Sequence, residues 1–149
     1  MAPARRRLFL GILLTAVAAY STAALMHRTQ TALDIPEPGK DVALSALSYK
    51  ANAFEAKIDS VRLEPDGDVA ADPFKANWRF VGSNNDGQQH RVEIFVRLLD
   101  ASGKQIDTFS HSFFLSAGAH DQVCVVPMSV KAEHWKAAKS ARIVTDWLS

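Results

Sequence analysis

Hydrophobic and polar residues alternate from Val92 onward, with Val92, Ile94, Val96 and Leu98 in one phase and Glu93, Phe95, Arg97 and Leu99 in the other. A two-residue period predicts a strand half-buried against a core. Asp100-Ala101-Ser102-Gly103 interrupts it with an Asp suited to open a type I turn and a Gly able to take positive φ. Gln105 to Leu115, rich in β-branched and aromatic residues, then returns alongside. His90 to Leu115 is therefore expected to be one long β-hairpin. A hairpin alone is marginal in water, so the rest of the chain must supply the layer that covers it.

The flanking sequence reads the same way. Phe54 to Leu63 is an expected strand, with a change of phase near Asp59-Ser60 that predicts a bulge. Glu64 to Asp72 is a Pro/Asp/Gly loop, and Lys75 to Gly82 a second strand that puts Ala76, Trp78 and Phe80 on one face. Trp78 is the expected main core aromatic. Gln122 to Met128 is a further strand in which Pro127 signals an edge or a terminus. Ser129 is placed to cap a short helix running to Lys139, with Trp135 over one end of the core, and Ala141 to Leu148 closes the chain as a strand. About six strands and no βαβ rhythm predict an all-β fold over residues 53–149, an antiparallel immunoglobulin- or fibronectin-like sandwich with one short helix.

Upstream, Arg5, Arg6 and Arg7 precede residues 8–26, which hold no charge. This N-terminal hydrophobic helix is expected to act as a signal anchor, or as a signal peptide cleaved near Ser21-Thr22-Ala23. Either way the domain is expected on the periplasmic side of a bacterial inner membrane, held as a single-pass protein or released. Residues 27–52, polar and carrying Pro36 and Pro38, are expected to form a linker, with Asp41 able to cap a short helix or begin an irregular edge strand.

Charge narrows the partners. The 149 residues carry 17 Lys and Arg against 16 Asp and Glu, and three of the basic ones are Arg5, Arg6 and Arg7, which leaves 14 against 16. That lacks the basic footprint of a nucleic-acid binder, so no nucleic acid is expected. Cys124 is the single cysteine, so no intramolecular disulfide exists and the core alone must hold the fold.

Val96-Arg97-Leu98-Leu99-Asp100, followed by Gly103, resembles the FxLYD signature of bacterial immunoglobulin-like domains, with Val for the Phe and Leu for the Tyr. Trp78 to Asn84 is similar to that family's preceding strand ending in Asn, and Leu115-Ser116-Ala117-Gly118 to its next small turn. The resemblance spans Lys75 to Val126 and implies an exported sandwich used in attachment, assembly or recognition, with no catalytic residues to carry over.

Reactive constellations are sparse. The histidines (His27, His90, His111, His120, His134) show no i, i+2 or i, i+4 pairing, and the run from Cys124 to Met128 lacks the His of a blue-copper loop. Asp66, Asp68 and Asp72 lack the later Glu of a calcium loop, leaving a solvated turn as the expectation. Ser110-His111-Ser112 sits in a strand, where neighbours point to opposite faces. No catalytic residue, metal or cofactor is expected, and the protein is read as a non-enzyme. Both faces of the hairpin carry large apolar groups, more than a sheet with one wet face needs. The second face is either covered by residues 41–50 or the short helix, or exposed as a partner patch formed by Phe95, Leu99, Phe109 and Phe113. The expected function is a non-catalytic accessory or assembly subunit that docks an envelope or membrane protein. The alternative is a periplasmic small-ligand or metal-binding module.

Overall fold

The computed structural model describes residues 26–51 and 53–148. The expected anchor or signal segment therefore lies outside the described residues, apart from Met26. Among those described, no helix is long and apolar enough to cross a membrane.

Among the described residues nine strands and one helix follow in order: β1 (Met26–Asp34), β2 (Asp41–Ala43), β3 (Ser48–Ala51), β4 (Phe54–Pro65), β5 (Phe74–Asn84), β6 (His90–Leu99), β7 (Gln105–Leu115), β8 (Gln122–Val130), α1 (Ala132–Ala137) and β9 (Ser140–Leu148). They form two antiparallel sheets, one ordered β1-β9-β6-β7 and the other β2-β4-β5-β8, with β3 also on β4. Inward-facing residues of both sheets merge into one core, a β-sandwich. Val92, Ile94, Val96 and Leu98 of β6 face Ala56, Ile58, Val61 and Leu63 of β4, Ala76, Trp78 and Phe80 of β5, and Cys124, Val126 and Met128 of β8 within it. Trp78 is fully buried and its Nε1 donates to the Met128 sulfur at 3.2 Å.

The hairpin has the arms the alternation predicts, and Asp100 locks its turn. One Asp100 carboxylate oxygen accepts from the Ser102 amide, the Ser102 hydroxyl and the Lys104 amide at 2.9, 2.7 and 2.9 Å, and Gly103 takes φ +82°. Those bonds, the Ser102 side chain foremost, hold the Asp100 carboxyl below its ordinary range. The β4 bulge falls between Ile58 and Ser60, at the change of phase.

Two expectations need correction, and one open choice is settled. Residues 27–52 are not a spacer: β1 pairs with β9, while β2 and β3 pair with β4 and bring Leu47 into the core. Thr29, Thr31 and Leu33 alternate as a strand should, but two of them are Thr, so the apolar pattern is silent where a tertiary partner decides. Arg28 binds Asp146 through two nitrogens at 2.6 and 2.8 Å, and Trp147 Nε1 donates to the Thr29 hydroxyl at 3.3 Å. Of the two readings of Asp41 the edge strand holds: it begins β2 at the border of its sheet, pairs with Arg62 of β4 at 2.9 and 2.8 Å and caps no helix. Ser129 likewise does not cap α1: it lies in β8, which runs on to Val130, and the helix begins after Lys131 with no side-chain cap.

Candidate functional site

The four residues expected to share one patch are divided by the sheet. Phe109 and Phe113 lie opposite Val96 and Val92, hence on the inner face, half-buried against the core. Leu99 is 5% exposed beyond the bulge that follows Leu98. Only Phe95 stands on the outer face, opposite Ser110 and Val144, with the Arg97 guanidinium 5.9 Å from its ring centre. Neither residues 41–50 nor α1 roofs this face, since β2 and β3 belong to the opposite sheet and Trp135 of α1 packs on Phe74 of β5. Val144, with Gln30 and Phe95 as its cross-strand neighbours, is nonetheless fully buried. The four residues therefore do not share one open face.

The residues that stand open are the outer rim of the same hairpin arm. Among the described residues β7 ends its sheet and pairs only with β6. The Leu99 carbonyl accepts from the Lys139 amide on the β9 side, so odd-numbered β6 residues turn their backbone groups toward β9 and even-numbered ones toward β7. Leu98 pairs with Asp107, which turns odd-numbered β7 residues inward and leaves the N–H and C=O of Thr108, Ser110 and Ser112 pointing out of the sheet, with the Thr108 N–H donating to Asp107 Oδ1 at 3.0 Å. Gln122 shows the same polarity: its Nε2 donates to the Phe114 carbonyl at 2.7 Å and its Oε1 accepts from the Ser116 amide at 3.0 Å.

Natural sheets blunt such edges with charge, Pro, bulges or very short strands. β8 carries Pro127, β2 has three residues, and β1 carries Arg28. From Thr108 to Leu115, TFSHSFFL, β7 has no Lys, Arg, Asp, Glu, Pro or Gly. Thr108, Ser110, His111, Ser112 and Phe114 are all exposed, Phe114 to 56%. Alternation identifies β7 as a strand, but its being the open edge depends on the order of strands, which short-range pattern does not encode.

The titratable residues are dispersed. His27 packs on Tyr49, His90 Nε2 lies 2.8 Å from an Asp86 oxygen, His134 Nδ1 lies 3.5 Å from Asp107, and His111 and His120 are exposed in β7 and the following turn. Among the described residues no three of His, Cys, Asp and Glu gather where one ion would touch them. Asp68 accepts from the Ala70 amide at 2.9 Å and Asp72 from the Ala132 amide at 3.2 Å, which occupies them in local turns and the start of α1. Cys124 is buried and desolvation pushes its thiol up to about 11. A shallow groove of about 340 Å³ beside β8 is lined by Asp66, Lys75, Asn77, Pro127 and Ser129, none of them buried, and by the edge of Met128.

No protein-family model matches this chain, and no curated protein matches it significantly.

Proposed function

We propose that this chain is a non-catalytic assembly subunit of a membrane-associated envelope complex, a bacterial immunoglobulin-like sandwich that accepts an extended strand of a protein partner along Thr108 to Ser112. The observation that carries this reading is the outward row of backbone donors and acceptors on β7, among the described residues the one long strand edge without Pro, Lys or Arg. Addition of a strand satisfies those groups, and alternate side chains on either face set which partner fits. The placement outside the cytoplasm rests on Arg5 to Arg7 followed by uncharged residues 8–26. Kinship with FxLYD domains rests on Val96 to Gly103, where Asp100 and Gly103 build the turn.

The test is a photo-crosslinking amino acid introduced at Ser112 of the full chain in bacterial cells, with Lys57, on the outer face of the opposite sheet, as the control position. Protein adducts from position 112 that vanish in a Ser110→Pro background support the reading. The proline removes an outward N–H without touching the β6 ladder. No adduct from position 112, or equal adducts from position 57, overturns it.

A further inference from the structure

We infer that the end of the sandwich where β1 begins is seated in the headgroup layer of the bilayer, with a row of apolar side chains against lipid; this rests on the reading of residues 8–26 as a membrane anchor. Met26 is at once the last residue of that uncharged run and the first of β1. No spacer separates the two. Whatever surrounds Met26 at this end of the fold therefore meets the surface from which the chain emerges.

What surrounds it is a complete cross-strand row. On the outer face of the sheet, the one that carries Phe95, Met26 lies opposite Leu148, Leu148 opposite Arg91, and Arg91 opposite Phe114. Met26 and Phe114 are each 56% exposed. The next row in from this end is polar: Arg28, Asp146, Glu93 and Ser112, with Arg28 bound to Asp146. Character thus changes over two residues, about 7 Å along a strand. Headgroups add a layer of roughly 5–8 Å on each side of the hydrocarbon core, so one row falls at its inner boundary and the other at its outer.

The second sheet adds Phe54, 45% exposed at the start of β4. It belongs to the same end: Asn84, opposite Ala56, donates to the Leu115 carbonyl of β7 at 3.3 Å. Tyr49 of β3 ties the sheets together here, its ring 6.4 Å from that of Trp147 and 5.8 Å from that of His27. Among the described residues the other large apolar side chains left exposed are Val69, in the loop at the opposite end, and Val123, on the flank of β8. Isolated ones need no explanation. Met26, Phe54 and Phe114 gathered where an uncharged segment enters the fold do. Arg91 suits the same place, since its stem can lie along apolar neighbours while its guanidinium meets a lipid phosphate. A protein partner or a second copy would first have to displace lipid from an end that no spacer lifts.

The experiment uses the full chain with Phe54→Cys, Phe114→Cys or, as control, Val69→Cys, each labelled with a bimane fluorophore; the buried Cys124 thiol does not compete. Each variant is reconstituted in vesicles of phosphatidylethanolamine and phosphatidylglycerol, with and without lipid carrying a doxyl group on the acyl chain near the headgroup. We expect the doxyl lipid to quench positions 54 and 114 and to leave position 69 unchanged, while aqueous iodide does the reverse. Failure of the lipid to quench position 54 or position 114, or an equal loss at position 69, overturns the inference. Alkaline carbonate washing of the cell membranes and the intact mass of the chain separate the two ways of failing. A chain that stays in the membrane with residues 1–25 attached yet is not quenched leaves the anchor standing and removes the seat; a chain washed off or cut removes both. The β7 edge is read separately, by the adducts from position 112.

Discussion

Gln122 reaches back across the β7–β8 turn to the Phe114 main chain, donating to its carbonyl at 2.7 Å while accepting from the Ser116 amide at 3.0 Å. One side chain thereby closes the C-terminal end of the β7 edge.

Replacing it tests that closure. Gln122→Ala removes two hydrogen bonds near the surface, each contributing about 0.5–1.5 kcal/mol. We expect a loss of about 1–2 kcal/mol in denaturant unfolding and faster amide exchange at Ser116, while the Ser102 amide in the opposite turn is unchanged.

Asn84 holds the same end from inside. Fully buried, it donates from Nδ2 to the Gln88, Leu115 and Ser116 carbonyls at 2.8, 3.3 and 3.1 Å and accepts from the Asp86 amide at 2.9 Å. Asn84→Ala leaves carbonyls without a donor, at about 1–3 kcal/mol each. Asn84→Asp is expected to be worse at neutral pH, because a carboxylate among carbonyl oxygens is both desolvated and repelled. Its folded-state pKa is then raised, so the lost stability returns as pH falls and the group keeps its proton. Thermal melts of both variants from pH 4 to pH 8 read this out.

Gly82 is needed for close packing, not for turning. A Cβ there would sit 3.0 Å from Leu115 Cδ2 and 3.2 Å from Ile58 Cδ1. Gly82→Ala is expected to cost about 1–3 kcal/mol by overpacking. In a Leu115→Ala background the same change should cost less, a non-additivity that a double-mutant cycle measures.

Cys124 is packed on the inner face of β8 opposite Phe80, and its thiol is raised to about 11 from 9.0 by desolvation. The folded state therefore keeps the proton that the unfolded chain releases. Stability from this group is intact below the unfolded value and declines as pH climbs from about 9 toward the folded value. At pH 8 the native thiol should resist a maleimide reagent and react only at the rate of unfolding; rapid labelling of the folded protein contradicts this burial.

Much of the sandwich is written in local pattern. Val92 to Leu98 alternate because one face is core, the phase slip at Asp59-Ser60 marks the β4 bulge, and Pro127 falls on an edge strand. β1 escapes such reading. Its inward residues Thr29 and Thr31 are polar, and what fixes them is distant in sequence: Thr31 lies opposite Ile143, and Thr29 opposite Thr145, 116 positions away, whose hydroxyl meets that of Thr29 at 2.5 Å. The proposed patch failed for a related reason. Phase within one strand assigns Phe109 and Phe113 a common face with each other, but only the pairing with Val96 and Val92 shows that this face is the core. The open rim of β7 is a property of strand order, and no short stretch of residues specifies that.

Amide hydrogen exchange at Ser112 in the full chain, isolated in its native assembly under mild detergent, tests the central claim most directly when compared with the Ser110→Pro variant. Protection of this amide in the wild type and fast exchange in the variant, with the β6–β7 ladder equally protected in each, is the predicted result. Fast exchange at Ser112 in the wild type contradicts it, because the outward rim of β7 would then be meeting water and no strand.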